Sequence, residues 1–189
     1  MDGIEVVWDW SAVFGYAGLL ANVIWIMMRR RSYLLFGQTV ACGLMAAHFH
    51  YIGSDTGTLV MLVAGVQAML AIPLGLHPKF NLVYFMSSGL SPLIAYATWQ
   101  GGSSLFSALV LLLVCVANFQ LDEVRQRGLL ILALLAWIGH NLLVGSLPAL
   151  MSNAIAFVFS ATMLYRAKRI RGLRAAGVWT HARGAHQNG

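Results

Sequence analysis

The sequence predicts an all-α integral membrane protein, on the basis of its composition, its hydropathy and the absence of a barrel pattern. Apolar residues occupy 59% of the 189 positions and charged residues only 10%, whereas a soluble domain carries about a quarter charged residues. The mean hydropathy is +0.74. Such a chain cannot cover a globule with hydrated side chains. Lipid also requires each segment to satisfy its own backbone polar groups, which favours helices, and the period-2 alternation of a membrane barrel is absent.

Seven apolar segments approach the length of about 20 residues that a spanning helix requires. Turn-forming residues or charges separate them. The fourth segment is the weakest, because Pro92 interrupts it, and six spans is the competing count. The predicted spans are 8–28, 33–52, 58–76, 81–98, 104–120, 128–145 and 147–165.

The basic residues decide between these counts, since Lys and Arg in short loops prefer the cytoplasmic side. With seven spans, all twelve basic residues fall on one face. Without the fourth span, Arg125 and Arg127 would lie on the opposite side from Arg29. We therefore predict seven spans, with the amino terminus outside and the carboxyl terminus in the cytoplasm. The net charge of +6 is then an orientation signal, and we expect no nucleic-acid partner.

The chain also contains an internal similarity. At an offset of 92 residues, "HFHYIGS" (48–54) lies on "HNLLVGS" (140–146), and the two share a His-x4-Gly-Ser frame. At an offset of 96, 21–31 lies on 117–127, so that Asn22 matches Asn118. This change of offset requires four extra residues in the second span relative to the sixth, about one helical turn.

Two parallel three-helix repeats joined by one linker helix account for this similarity. Three is odd, so a single additional crossing lets both copies keep the same orientation in the membrane. Solute sites in such proteins usually lie between the repeats near mid-membrane. The predicted organisation is a short outer terminus at 1–7, repeats at 8–76 and 104–165, a linker helix at 81–98 and a basic cytoplasmic tail at 166–189.

Two stretches, "WIGHNLLVGSLPALMSNAIAFVFSATMLYR" (137–166) and "RRRSYLLFGQTVACGLMAAHFHYIGSDTG" (29–57), make the sequence resemble the YgjV-type bacterial inner-membrane proteins. The plan of three, one and three helices is also similar to that of the SWEET and PQ-loop sugar and amino-acid transporters. That wider resemblance implies a solute path between two bundles. The Pro-Gln pair of the PQ-loop families is missing from 12–28 and 105–120. The YgjV resemblance implies a fold and the bacterial inner membrane, but no substrate.

His48 and His140 are the first candidate site residues, because ionisable side chains within membrane helices are costly and often functional. Both lie toward the outer ends of their spans. As a pair facing one cavity they could bind a solute or relay a proton. They could equally be anchors at the level of the lipid headgroups.

Four more residues are candidates for binding a solute. Asn22 and Asn118 either hydrogen-bond between helices or line a solute path. Asn153 shares a helical face with small residues, which favours close packing, although its amide could also specialise a pocket. Trp137 lies one turn before His140 and either stacks on a solute ring or faces lipid.

No enzyme motif is present: there is no nucleophile elbow, phosphate loop or zinc-spaced cluster. Cys42 and Cys115 lie in apolar segments, which predicts packing rather than a disulfide. We predict a protein that moves or binds a small polar solute by alternating exposure of a central cavity, without a cofactor. Its expected partners are the lipid bilayer and the solute, and it could form an oligomer. The alternatives are a haem or metal protein using His48 and His140, and a non-transporting helper.

Overall fold

The computed structural model describes residues 9–26, 28, 31–74, 77–118, 120 and 122–175, and this part of the chain is helical almost throughout. The predicted all-helical class is confirmed, since no strand occurs among the described residues. A short 3-10 turn at Pro78–Phe80 precedes the fourth helix. The helices are α1 (Trp10–Ile26), α2 (Arg31–Tyr51), α3 (Asp55–Leu74), α4 (Asn81–Ala97), α5 (Gly102–Asn118), α6 (Glu123–Val144) and α7 (Leu147–Ala175).

The helices coincide with the predicted segments, and the largest differences are in α6 and α7. α6 begins five residues early because Asp122 caps it: the carboxylate accepts the Val124 N–H at 3.2 Å. α7 continues ten residues beyond the predicted end, through a stretch rich in the good helix formers Ala, Arg and Lys. Pro92 does not interrupt α4. The predicted terminus at 1–7 and the tail beyond 175 lie outside the described residues.

Six of the helices form a closed ring. Contacts run in the order α1, α2, α3, α5, α6 and α7, and α7 returns to α1. α4 lies outside the ring against α5 and α3. The Ser91 hydroxyl fixes it there by donating to the Ala108 carbonyl oxygen at 2.6 Å. Each neighbouring pair buries its shared face, and the ring leaves space at its centre.

A single offset relates the starts of the helices. The first three begin at residues 10, 31 and 55 and the last three at 102, 123 and 147, so each pair is separated by 92 positions. The 96-residue offset predicted for the first helix, with its four-residue insertion, is therefore wrong. At an offset of 92, Asn22 corresponds to Val114 rather than to Asn118. A shift of four residues is about one helical turn and keeps the same helix face toward its neighbours. The Ala-Asn pairs at 21–22 and 117–118 therefore matched by chance at the offset of 96.

The two ends of the ring differ in chemistry. We call the end where α2 and α6 finish the histidine end, and the end where they begin the arginine end. Gly53 and Gly145 follow α2 and α6 at the histidine end with φ values of 75° and 70°. Only glycine adopts this left-handed backbone without strain. The exposed basic side chains of the described residues, including Arg125, Arg166 and Arg169, belong to the arginine end.

Within the described parts of the chain, three helical segments are long and apolar enough to cross a membrane: Asp55–Leu74, Val124–Val144 and Leu147–Leu173. Trp10–Trp25 and Gly102–Ala117 are apolar but shorter. α2 has sufficient length, but polar residues such as Gln38, His48 and His50 reduce its hydropathy.

Candidate functional site: a central cavity with a closed end

A cavity of about 470 Å³ lies inside the ring, within the size range of small-molecule sites. All six ring helices contribute to its wall, and α4 contributes no described residue. The wall is mainly apolar. Its polar members are Asn22, Gln38, Arg127, Asn141, Ser152, Asn153 and Ser160.

The cavity is closed at the histidine end. There the wall consists of fully buried side chains, among them Phe49, Asn141 and Ala149. Toward the arginine end the wall becomes more exposed, and Asn22 and Arg127 are only half-buried. Solvent therefore approaches the cavity from the arginine end.

Two buried histidines tie this closed end together. The Nδ1 atom of His48 lies 2.7 Å from the Ser11 carbonyl oxygen, and its Nε2 atom lies 2.6 Å from the Ser146 hydroxyl. The Nδ1 atom of His140 lies 2.9 Å from the Ser103 carbonyl oxygen, and its Nε2 atom lies 3.2 Å from the Ser54 hydroxyl. We call the two contacts through Nε2 the histidine–serine ties.

The carbonyl partners assign the proton on each ring. A carbonyl oxygen can only accept, so Nδ1 of each imidazole carries the hydrogen and donates it. In a neutral ring Nε2 then accepts from the serine hydroxyl. For His140, the Ser107 hydroxyl lies a further 2.7 Å from Nδ1. Each imidazole is thus hydrogen-bonded at both nitrogens.

Each tie joins helices from different parts of the chain. The tie of His48 connects α2 to the start of α7, and that of His140 connects α6 to the start of α3. Both serines also stabilise the turn they begin: Ser54 and Ser146 accept backbone N–H bonds four residues later, from Thr58 at 2.9 Å and Leu150 at 3.0 Å.

Neither imidazole belongs to the described wall of the cavity. The relative exposures of His48 and His140 are 3% and 0%, so neither ring rests at a lipid interface as an anchor would. Their role in contacting a solute remains a prediction. For haem or metal ligation, either ring would first have to give up one of its hydrogen bonds. Among the described residues, no three His, Cys, Asp or Glu side chains form a group that could hold a metal ion.

Three of the other predicted residues do line the cavity: Asn22, Trp137 and Asn153. The Asn22 side-chain oxygen accepts the Trp25 indole N–H at 2.9 Å. Trp137 does not face lipid, because it is buried and stacks on Phe49 with ring centroids 5.7 Å apart. The side chain of Asn118 lies outside the described residues.

Asn141 is a cavity residue that the sequence analysis missed. Its side chain has a relative exposure of 0%. Neither its amide nitrogen nor its amide oxygen has a hydrogen-bond partner among the described residues. Two sequence signals could have identified it: Asn141 directly follows His140, and it lies four residues after Trp137, which places the amide and the indole on one helix face.

Charge is confined to the arginine end of the site. Arg127 is the one charged side chain among the described wall residues. Beside it in the chain, Asp122 pairs with Arg171 at 3.0 Å. Burial opposes the charged form of Asp122, but hydrogen bonds from the Val124 N–H and the Arg171 guanidinium outweigh it, so the pKa of this carboxyl lies below its usual value.

Comparison with known proteins identifies the membrane in which this cavity lies. The model of the Imp-YgjV family, described as a bacterial inner membrane protein, matches residues 9–171. No curated protein and no solved structure matches the chain.

Proposed function

The chain belongs to the Imp-YgjV family of bacterial inner membrane proteins, and from that premise we propose that it is a multi-pass carrier for a small polar solute. One observation carries the proposal: a solute-sized cavity lies between two groups of three helices and is closed at one end by contacts between the groups. A protein that alternates between two exposures of one site requires such reversible contacts.

In this proposal all seven helices cross the membrane, with the histidine end outside. The shortest, α1, α4 and α5, have 17 residues each, which gives about 25 Å at 1.5 Å per residue. That length approaches the hydrocarbon thickness of about 30 Å. The basic side chains at the arginine end support a cytoplasmic location for that end.

We also propose that α1–α3 and α5–α7 are parallel repeats, with α4 as the linker helix. The shared offset of 92 residues between helix starts supports this. The same offset also relates the residues of the histidine contacts. His48 corresponds to His140, Ser54 to Ser146 and Ser11 to Ser103. The cavity wall contains further pairs at this offset: Asn22 and Val114, Gln38 and Leu130, Met45 and Trp137, Phe49 and Asn141, Val60 and Ser152, Met61 and Asn153.

The energy of the ties suits a carrier. Each neutral hydrogen bond contributes about 0.5–1.5 kcal/mol net, because water replaces the partner when the bond opens. Two ties therefore stabilise closure by only a few kcal/mol, which a bound solute can offset.

Cysteine labelling in reconstituted vesicles tests the proposal. Ala149→Cys, in a variant without Cys42 and Cys115, places a thiol at the closed end. We expect a membrane-impermeant maleimide added outside to label it slowly, and a transported solute to change that rate. Trp99→Cys, exposed at the histidine end, should label from outside at all times, and Arg166→Cys only from inside.

Uptake of labelled sugars, amino acids and nucleosides into the same vesicles completes the test. Net movement of one solute class, saturable and absent from empty vesicles, is the expected result. The proposal fails if no class moves and Ala149→Cys never reacts from outside. Outside labelling of Arg166→Cys would overturn the orientation.

A further inference from the structure

We propose that Asn141 is the solute-binding residue of the cavity, and that its ligand is a neutral small molecule carrying a hydrogen-bond donor beside an acceptor. The inference rests on the proposed carrier function and adds the chemistry of the solute. It depends on the burial of Asn141, the aromatic rings beside it and the distance to the nearest charge on the wall.

The amide of Asn141 is buried at a free-energy cost that nothing in the described protein compensates. Burying an unpaired amide costs about 1–3 kcal/mol in proteins. Other buried polar side chains nearby, such as Ser104 and Ser107, have partners. Asn141 has none for either side-chain atom, although it lines the cavity. Asn141 therefore offers an unpartnered donor and acceptor at the wall of a solute-sized space, which fits a binding group.

Aromatic rings stand beside this amide. Trp137 lies one turn before Asn141 on the same face of α6 and also lines the cavity. Phe49 stacks on Trp137 with an interplanar angle of 7°. A solute paired with the amide therefore lies against an apolar, aromatic wall, which suits the face of a sugar ring or of a flat heterocycle.

The solute is neutral because no described wall residue at the closed end carries a charge. Arg127, the charged member of the described wall, precedes Asn141 by fourteen residues, which is about 21 Å along a helix. An ion bound at Asn141 would lose its hydration without gaining a counter-charge, and that loss is far more costly than for a neutral polar group.

The carboxamide of Asn141 also defines which hydrogen-bonding groups its ligand carries. Its oxygen accepts and its nitrogen donates, side by side in one plane. Two neighbouring hydroxyls of a sugar match this pattern, and so does the amide edge of a nucleobase, as Asn pairs with adenine in DNA recognition. Phe49 occupies the corresponding position of α2, so the polar contact comes from one side of the cavity and the apolar contact from the other.

Binding measurements on the purified protein distinguish a sugar ligand from a nucleobase ligand. The probes are D-ribose for the hydroxyl pair, uracil for the amide edge and zwitterionic L-alanine as the charged comparison, measured by thermal shift and calorimetry. The test variant is Asn141→Leu, which has a similar volume and no polar atoms. The matched control is Asn81→Leu, the same change at an exposed position of α4.

We expect one neutral probe to bind the wild type and Asn81→Leu, and to bind Asn141→Leu at least tenfold more weakly. Without ligand, Asn141→Leu should unfold at the same or a higher temperature than the wild type, because the uncompensated amide is gone. A folding defect would lower that temperature, which distinguishes lost binding from lost structure.

Three results would overturn the inference: no neutral probe binds the wild type, a neutral probe binds Asn141→Leu unchanged, or L-alanine binds best. In that last case vesicle uptake of L-alanine would still support the carrier. If a neutral probe requires Asn141 but vesicles move no solute, the binding site stands and the transport proposal fails.

Discussion

The two places where α1–α3 meets α5–α7 at the histidine end are built differently. At the junction of α3 with α5, the Thr56 hydroxyl contacts the Thr98 carbonyl oxygen at 2.8 Å and the Ser104 hydroxyl at 2.7 Å. Gln100 extends this network by donating to the Gly53 carbonyl oxygen at 2.7 Å. The His140 tie adds to these contacts.

Among the described residues, the junction of α7 with α1 has fewer polar contacts. Pro148 occupies the position that corresponds to Thr56, and it packs against Gly15. Gly15 in turn corresponds to Ser107, so His48 lacks the additional hydroxyl that supports His140. Because one junction is polar and lies beside the α4 connection and the other is apolar and lies opposite it, we expect α3–α5 to be the hinge of the proposed carrier and α1–α7 the contact that opens.

The largest effect should come from filling the close contact between α3 and His140 of α6, beside the α3–α5 junction. A Cβ atom on Gly57 would lie 2.9 Å from Nε2 of His140 and 2.8 Å from the Ser54 hydroxyl. We expect Gly57→Leu to lower the free energy of unfolding by about 3 kcal/mol or more, since overpacking typically costs 1–3 kcal/mol and this site also loses its tie. Thermal or denaturant unfolding in detergent measures the loss.

Gly43→Leu is the matched control, because nothing lies within 4 Å of a Cβ at that exposed position of α2. It should leave the unfolding temperature nearly unchanged. Equal losses in the two variants would show that helix α3 does not approach His140 this closely.

The two ties should differ when they are broken singly. Ser146→Ala and Ser54→Ala each leave a buried Nε2 acceptor unpaired, at a cost of about 1–3 kcal/mol. We expect the larger loss of stability in Ser146→Ala, because its bond is 2.6 Å long against 3.2 Å and because the α1–α7 junction has fewer other polar contacts.

Labelling of Ala149→Cys should sharpen this comparison. In the Ser146→Ala background the outside labelling rate should rise more than in the Ser54→Ala background, since the opening contact is weakened in the first case and the hinge in the second. The reverse order would assign the hinge to α1–α7.

The smallest effect on stability is expected in the loop before α6. Asp122 lies in this loop, 92 residues after Arg30, to which it corresponds. The folded-state pKa of Asp122 is lowered, so its charge stabilises the fold above the unfolded pKa of about 4. That contribution is lost as the pH falls through the lower, folded value. Asp122→Asn should thus unfold slightly earlier than the wild type at pH 7, and together with it once the pH lies below the folded-state pKa of Asp122.

Arg171→Gln checks the same ion pair from the other partner. It should reproduce the small shift at pH 7, because surface ion pairs contribute little. A shift in Asp122→Asn that persists below the folded-state pKa of Asp122 would assign the effect to helix capping instead of charge.

Sequence patterns determined the helices and their order. Hydropathy and turn residues placed all seven helices, since local apolar runs and breaks control where a helix can begin and end. The His-x4-Gly-Ser frame also predicted the 92-residue offset at α2 and α6, because its turn chemistry is local. Sequence similarity gave the wrong offset at α1, because a shift of one helical turn keeps the same helix face toward its neighbours.

Tertiary structure alone decided what each polar side chain does. The sequence left His48 and His140 either as a pair facing one cavity or as anchors at the headgroups. In the structure each bonds a serine from the other group of helices, and no local pattern encodes a partner 86 to 98 residues away. Asn141 looked like one more polar residue at a helix end. Its unpaired amide follows from the closure of six helices around a space, which is a property of their packing and not of any segment.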